Sequence, residues 1–266
     1  MLLKIEHKTH YAYSEVVDYT IQQLRLTPQN AHGQRLLHWD VRVNGNLHTF
    51  EDAHGNVTQT LVIDNPHQEV SITAFGEVET NIVETAMLET IPLPIYLRQT
   101  PLTQPDNAVK AFAATFAKQA KSAELILLMM KQIKAKIAYV KGSTEVKTTA
   151  AQAFALGEGV CQDQTHVLLA CCREIGIPAR YVSGYLFTDD ARQMESHAWA
   201  DIWLEGLGWQ SFDVLNQCKT NGKHVRLAVG LDYREASPVS GMRVGGGDEA
   251  MKVSVQVEQI QQQSQQ

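Results

Sequence analysis

Apolar and polar residues alternate in short runs along the first third of the chain, and turn-forming residues separate the runs. Alternation with a period of two is typical of half-buried β-strands. The runs predict strands over 4–13, 37–43, 57–63 and 70–75. Asn, Gly, Asp and Pro residues between the runs supply the turns. Residues 1–90 are therefore predicted to form a small antiparallel β domain.

The pattern changes in the middle of the chain. Prolines recur within 91–105, which favours an extended linker between two domains. The alanine-rich segment 106–120 is predicted to be helical. Ser122 is predicted to cap a second helix that runs to about Tyr139, because its apolar residues recur at helical spacing. A short third helix is predicted over 148–156.

The chain next turns at two glycines and enters a helix at a cysteine. Apolar and small residues recur at helical spacing after Cys161, and Gly176 followed by Pro178 is a stop signal. Cys161 is thus predicted to lie where amide N–H groups are unpaired and the helix dipole is positive, which favours the nucleophilic thiolate. Gly157 and Gly159 allow a substrate to approach closely. Because a free cysteine is more often a packing residue, this hypothesis depends on residues downstream.

After the helix, the period returns to two. Strands are predicted over 179–187, 196–204 and 208–213, with a polar loop over 188–195 and a hairpin turn at 205–208.

A last strand is predicted over 251–257 and is grouped with the preceding helices and strands in one catalytic core, 106–258. Residues 259–266 are a polar tail that we expect to fray.

A thiol nucleophile needs a base, and the base needs an orienting group. His197 opens one predicted strand and Asp213 closes the next. If Trp203 pairs with Trp209, Asp213 lies opposite Trp199 and becomes the diagonal neighbour of His197 on one face, about 7–8 Å away. This register requires a five-residue connection between the two tryptophans, or a bulge.

The catalytic residues predicted from this arrangement are Cys161, His197 and Asp213. Cys161 would attack an acyl carbonyl, His197 would accept and return the proton, and Asp213 would hold the imidazole in the required tautomer. The amide N–H of Cys161 is the expected oxyanion donor. His166 is a competing base, but it lies further along the same helix and should face away from the sulfur. Asp163 is expected to serve the helix N-terminus.

Composition excludes several other classes of protein. A net charge of −6 and a pI near 5.9 give no reason to expect nucleic acid or an anionic membrane as a partner. The four cysteines show no Cys-x-x-Cys spacing, so neither a disulfide framework nor a structural zinc site is expected. A reducing cytoplasm is the simplest interpretation. The ten histidines are scattered and no calcium loop is evident, so we expect no metal and no cofactor.

An ordered set of motifs resembles the bacterial transglutaminase-like superfamily, together with the β-rich region that precedes its core. The motifs are Gly157-x-Gly-Val-Cys-Gln-Asp163 with His166, Ile177 to Tyr185, Ser196-His-Ala-Trp199, Gly208-Trp-x-x-Phe-Asp213, Gly230-x-Asp-Tyr233, Pro238-x-x-Gly241, His7-x-Thr-x-Tyr-x-Tyr13 and Leu24-Arg-Leu-x-Pro28. The resemblance implies an α+β fold, in which a papain-like core of helices packed on an antiparallel sheet follows a small antiparallel β domain. It also implies the same triad and a protein or peptide amide substrate.

The chain departs from the family pattern at a few positions. Val214 and Leu215 follow Asp213 where Pro-Thr is usual, and Asp201 stands where Glu is common. Gln164-Thr165 replaces Phe-Ala, and Leu231 replaces Arg. None of these changes removes a triad residue.

The leading hypothesis is a thiol-dependent acyl transfer or hydrolysis on an amide, through a thioester on Cys161. The acceptor is an amine in a transglutaminase or ligase and water in an amidase or peptidase, and the residues do not choose between them. A non-catalytic binding or scaffold module that keeps the fold is the alternative. A metalloprotein is a third possibility, which metal analysis of the purified protein would test.

Overall fold

The computed structural model describes residues 1–82, 91–189 and 196–260, and two antiparallel sheets carry its fold. The first sheet has seven strands, and five of them come from the N-terminal region in the order β2-β5-β1-β4-β3. These strands are β1 (Leu2–Leu24), β2 (Gln34–Val43), β3 (Asn46–Glu51), β4 (Val57–Ile63) and β5 (His67–Thr80).

The four predicted N-terminal strands are all present, and two features were not predicted. β1 continues past residue 13 to Leu24 and becomes the central strand of the sheet. β3 was missed because it is an edge strand that is exposed along nearly its whole length, so it needs no apolar alternation. In β1 the odd-numbered residues from Leu3 to Tyr13 are all buried on one face of the sheet.

Four helices and a small parallel strand pair follow. They are α1 (Asn107–Ala114), α2 (Ala123–Lys136), β6 (Ala138–Tyr139), α3 (Ala150–Leu156), β7 (Glu158–Gly159) and α4 (Cys161–Glu174). Ser122 caps α2 as predicted, because its side chain accepts a hydrogen bond from the amide of Leu125. α1 ends at Ala114 rather than 120, and α2 ends before β6, which pairs with β7.

The segment 91–105 differs from the extended linker that its prolines suggest. It contains a 3₁₀ helix at Leu93–Leu97, and Tyr96 and Leu102 are buried. Thr103 accepts a hydrogen bond from the buried guanidinium of Arg173 in α4. This segment is therefore packed into the fold.

The second sheet supports the helices and has the order β11-β10-β9-β8-β12. Its strands are β8 (Ala179–Leu186), β9 (Ser196–Leu204), β10 (Gly208–Asp213), β11 (Cys218–Lys219) and β12 (His224–Gly230). α4 packs on β8 and β9, and nearly all of its residues are buried. β8 to β10 agree with the prediction, whereas β12 was missed because every residue in it is buried and no alternation marks it.

The C-terminal segment returns to the first sheet. After α5 (Tyr233–Ala236), β13 (Val239–Gly245) and β14 (Glu249–Gln259) pair with β1 one after the other. The sequence analysis assigned the last strand to the catalytic core, 106–258, whereas in the structure this strand, β14, pairs with β1 of the first sheet. The chain thus crosses from the first sheet to the second and back.

Some sequence predictions fall on residues that the structure does not describe. They are most of the polar loop 188–195, of which 190–195 lie outside the described residues, and the end of the polar tail, 261–266. Among the described residues, no helix is both long enough and apolar enough to cross a bilayer.

Candidate active site

The turn that delivers Cys161 is built from glycines and a buried carboxylate. Gly157 ends α3 in the left-handed region, with φ of 76°. A Cβ atom on Gly159 would lie 2.7 Å from the Cβ of Asp163, so a side chain at this position would displace the carboxylate. Asp163 accepts hydrogen bonds from the amide of Val160 at 2.8 Å and from Thr144 Oγ1 at 2.7 Å. The predicted role of Asp163 at the helix N-terminus is confirmed.

Cys161 is the first residue of α4, as predicted, and is half-buried. Its amide N–H has no helical partner four residues earlier, since only later amides in a helix gain one. The positive end of the helix dipole and a free amide donor therefore lie beside the sulfur.

The hairpin of β9 and β10 has the predicted register. Trp203 pairs with Trp209, and the ladder continues from Leu204–Gly208 to Ala200–Phe212. Five residues lie between the tryptophans. Leu204 and Gly208 form the last strand pair, and the three residues between them form the turn. This register places His197 and Asp213 on one face, where their side chains lean together.

The three predicted catalytic side chains form a continuous chain of contacts. His197 Nε2 lies 2.7 Å from Asp213 Oδ2, and both side chains are almost completely buried. Cys161 interacts electrostatically with the same imidazole, and both side chains line one cavity. Since Nε2 donates to the carboxylate, Nδ1 is the nitrogen left for the thiol.

For both His197 and Asp213, the charges of neighbouring groups oppose the effect of burial on the pKa. Burial alone would lower the pKa of His197, but the Asp213 carboxylate and the contact with Cys161 outweigh it and raise the pKa well above 6.5. Burial alone would raise the pKa of Asp213, but the charges and hydrogen bonds of His197 and His224 hold it below its usual range. The geometry thus favours an imidazolium paired with a carboxylate.

Two residues that the sequence analysis did not identify complete the surroundings of Asp213. Asn216 donates from Nδ2 to Oδ2 at 2.7 Å and from its backbone amide to Oδ1 at 3.1 Å. His224 Nε2 lies 3.0 Å from Oδ2. His224 Nδ1 accepts from the amide of Asn221, so Nε2 carries the proton and donates. The Asx turn that follows β10 is a local signal that could have identified Asn216 from the sequence. His224 was not identified because it lies in β12, a strand that the sequence analysis did not predict.

His166 has a separate structural position. It is fully buried, and its Nε2 accepts a hydrogen bond from the amide of Tyr233 at 3.2 Å. Its ring lies 5.2 Å from the ring of Tyr181. Burial lowers the pKa of His166 to about 3, so the imidazole stays neutral. It links α4 to α5.

Asp201 is the centre of a buried ion network on β9. Its carboxylate accepts two hydrogen bonds from Arg226 at 2.7 Å each and one from Arg180 at 2.9 Å. Ser211 donates to the same carboxylate at 2.6 Å. Burial alone would raise the pKa of Asp201, and the two arginines hold it far below its usual range. This network joins β8, β9, β10 and β12.

Comparison with known families agrees with this architecture. Residues 3–79 match the bacterial transglutaminase-like N-terminal region, and residues 110–214 match the transglutaminase-like superfamily. The chain carries a transglutaminase-like core. The superfamily match includes Cys161, His197 and Asp213, and the first match covers β1 to β5.

Similar proteins share both regions. An uncharacterized protein of Mycobacterium leprae is 26% identical over 277 residues, which cover 97% of this chain and 99% of that protein. An uncharacterized protein of Mycobacterium tuberculosis is 27% identical over 90% of this chain and 86% of its own. The crystal structure of a candidate cysteine protease from Cytophaga hutchinsonii has a TM-score of 0.79 at 22% identity, covering 97% of this chain and 90% of that one. This likeness shows a shared fold.

A cavity of about 330 Å³ opens over Cys161 between the transglutaminase-like core and the first sheet. The core contributes Cys161, His197 and Tyr181 to its lining, and the first sheet contributes Tyr11 and Met251 among others. Cys161 is thus reached from a cleft that both sheets build.

One cluster of possible metal ligands is found among the described residues, and it overlaps the triad, because it consists of His197 and Asp213 together with His224. Atoms of His197, Asp213 and His224 lie within 4.8 Å of one another. Their N–O distances of 2.7 and 3.0 Å are those of hydrogen bonds from two ring N–H groups to one carboxylate oxygen. A cation would have to displace both protons. The arrangement fits a hydrogen-bonded triad better than a metal site.

Proposed function

We propose that the chain is a thiol-dependent enzyme that transfers the acyl group of an amide through a thioester on Cys161. One observation carries the proposal: Cys161 and His197 line the same cavity, and His197 Nε2 lies 2.7 Å from the buried Asp213 carboxylate. A nucleophile, a base and an orienting carboxylate in this order are the parts that acyl transfer requires.

The proposed reaction has two half-reactions. The Cys161 sulfur bonds to the amide carbon, and the resulting oxyanion accepts a hydrogen bond from the Cys161 amide N–H. The C–N bond then breaks, and the imidazolium of His197 gives its proton to the leaving amine. In the second half, an amine or water attacks the thioester, gives a proton to His197 and releases the thiolate. Asp213 keeps Nε2 protonated throughout.

The family supports this reaction class, because the superfamily core covers the three residues in the expected order. The Cytophaga hutchinsonii structure, described as a candidate cysteine protease, has the same fold. The acceptor distinguishes a transglutaminase or ligase from a peptidase or amidase. Both begin with the same acyl-enzyme.

The test is a burst assay with 4-nitrophenyl acetate, followed by intact-protein mass spectrometry. We expect stoichiometric release of nitrophenol and a mass increase of one acetyl group on Cys161. The burst should be lost in Cys161→Ala and retained in Cys218→Ala. Cys218 is the matched control because it is also half-buried and lies next to Asp213, but burial and the Asp213 charge raise its pKa.

The second half-reaction is tested by adding a primary amine to the acyl-enzyme. Faster turnover with an amide product would identify an amine acceptor, and an unchanged rate with free acid as product would identify water. If the wild-type protein shows no burst and no acetylated Cys161, the acyl-transfer proposal fails and a non-catalytic binding module becomes the better explanation.

A further inference from the structure

The wall of the cavity that faces the core is a two-stranded surface made from opposite ends of the chain. In the β1–β14 ladder, Thr9 pairs with Val253 and Tyr11 pairs with Met251. Side chains of directly paired residues share one face of a sheet. All four line the cavity that contains Cys161 and His197. This wall therefore lies outside the transglutaminase-like core.

The wall changes in character from its inner end to its rim. At the inner end, His7 is buried and bonded to Tyr185 Oη at 2.9 Å and to Thr9 Oγ1 at 3.0 Å. At the rim, Met251 is 60% exposed and Val253 is 38% exposed. Apolar side chains that stay exposed at the mouth of a cleft are typical of a surface that binds an apolar group.

The charge of the lining restricts the ligand further. No aspartate or glutamate is among the described residues that line the cavity, and Tyr11, Val239 and Met251 add aromatic and aliphatic surface. A cationic side chain would lose its hydration here without gaining a carboxylate partner. Lys141 also lines the cavity, but it follows β6 and does not belong to the wall of β1 and β14. At Tyr11, Met251 and Val253 an anionic side chain would meet apolar surface, so a neutral apolar side chain fits this wall best.

The outer edge of β14 suggests how a longer ligand lies. Among the described residues, β14 pairs with β1 and with no second strand. An edge strand presents backbone N–H and C=O groups that an extended peptide can pair with. A polypeptide in the cleft can therefore lie extended along this edge, with alternate side chains on the same face of the sheet as Met251 and Val253.

We propose that the cleft binds the acyl donor as an extended polypeptide, with a bulky apolar side chain beside the reacting carbonyl held by Tyr11, Met251 and Val253. The proposal rests on the acyl-transfer function and names its substrate class. Strand β1 of the N-terminal region and strand β14 together form the specificity subsite, and the core supplies the chemistry.

The test uses affinity labels that need only a thiol. Acetyl-X-glycine chloromethyl ketones with X as Phe, Asp or Lys alkylate a cysteine by displacing chloride, and iodoacetamide measures the reactivity of the same thiol without a side chain. The readout is the rate constant for Cys161 modification, from peptide mass spectrometry, divided by the rate constant for iodoacetamide. We expect this ratio to be about tenfold or more higher for Phe than for Asp or Lys.

Variants on one strand separate the subsite from the rest of the structure. Met251→Asp and Val253→Asp should lower the Phe ratio about tenfold, where each ratio is taken against the iodoacetamide rate of the same variant. Ser254→Asp is the matched control, since Ser254 is exposed and lies between Val253 and Val255 on the opposite face. Met251→Leu should retain the Phe preference.

The outcomes distinguish the two proposals. Slow alkylation of Cys161 by every reagent with an ordinary thiol pH profile would contradict the acyl-transfer function. Fast iodoacetamide alkylation with equal ratios for Phe, Asp and Lys would overturn the subsite proposal alone. A Phe preference that survives in both aspartate variants would overturn it as well.

Discussion

His197 Nε2 lies 2.7 Å from Asp213 Oδ2, although the two residues belong to different strands and stand 16 positions apart. The contact depends on the pairing of Trp203 with Trp209, because a shift of one residue would place Asp213 on the other face of β10. The catalytic hypothesis therefore rests on a strand register as much as on residue types.

The pH dependence of Cys161 alkylation should report the imidazolium contact. We expect iodoacetamide to modify Cys161 of the wild-type protein faster than Cys218 near pH 6, because a protonated His197 and the N-terminus of α4 place positive charge beside the Cys161 sulfur. His197→Ala should slow this reaction at pH 6 by about tenfold or more. At pH 9 the rates of the wild type and of His197→Ala should differ less. Cys218 serves as the internal control, since its pKa is raised by burial and the Asp213 charge. Equal rates for the two cysteines at pH 6 would contradict the prediction.

Asn216 should position Asp213 without taking part in the chemistry. Asn216→Ala removes a 2.7 Å hydrogen bond to a buried carboxylate. We expect a loss of about 1.5–3 kcal/mol in the free energy of unfolding, the usual worth of a hydrogen bond to a charged group. The nitrophenol burst should be slower but still stoichiometric. Asn216→Asp should lower the free energy of unfolding more than Asn216→Ala does, because it adds a second negative charge beside Asp213. A variant with wild-type stability and burst rate would refute this role.

The triad should also leave a signature in the pH dependence of stability. His197 has a raised pKa of about 10 in the folded protein, so its contribution is fully present below about pH 6.5 and is lost as the pH rises toward 10. Asp213 has a lowered pKa, so its contribution is present above about pH 4 and is lost as the pH falls.

We expect the free energy of unfolding of the wild type to exceed that of His197→Ala most between about pH 4 and 6.5. The difference should shrink on both the acid and the alkaline side. Urea denaturation of the two proteins from pH 3 to 10 measures it. A difference that is constant across this range would show that the pair does not titrate as the geometry requires.

Removal of the Asp201 carboxylate from its buried network should destabilise the protein strongly. Asp201→Asn leaves Arg180 and Arg226 without the carboxylate that balances them, and removal of one partner from a buried ion pair costs about 3–5 kcal/mol. Asp40→Asn is the matched control, because Asp40 and Arg42 form an exposed pair that is worth about 0–1 kcal/mol. Thermal and urea unfolding of both variants give the comparison. Similar losses in the two variants would show that the network contributes no more than a surface pair.

Several features of the site could be predicted from sequence because they depend on nearby residues. The start of α4 at Cys161 follows from a glycine turn, a capping carboxylate at Asp163 and helical periodicity, which all lie within one short segment. The contact of His197 with Asp213 follows from a tight hairpin, where loop length alone fixes the register.

Other features were decided by contacts between distant parts of the chain. His224 meets Asp213 only because β12 is added to the far edge of its sheet, next to β8. Met251 faces the cleft only because β14 pairs with β1 across almost the whole length of the chain.

The sequence by itself determined the fold family, the helix that begins at Cys161 and the hairpin that joins His197 to Asp213. The tertiary structure decided which strands meet and which side chains form the wall opposite Cys161. The physical reason is that local periodicity and turn chemistry specify an element and its faces, whereas a strand edge can pair with any compatible edge. The choice between these edges is made by the burial of the whole fold.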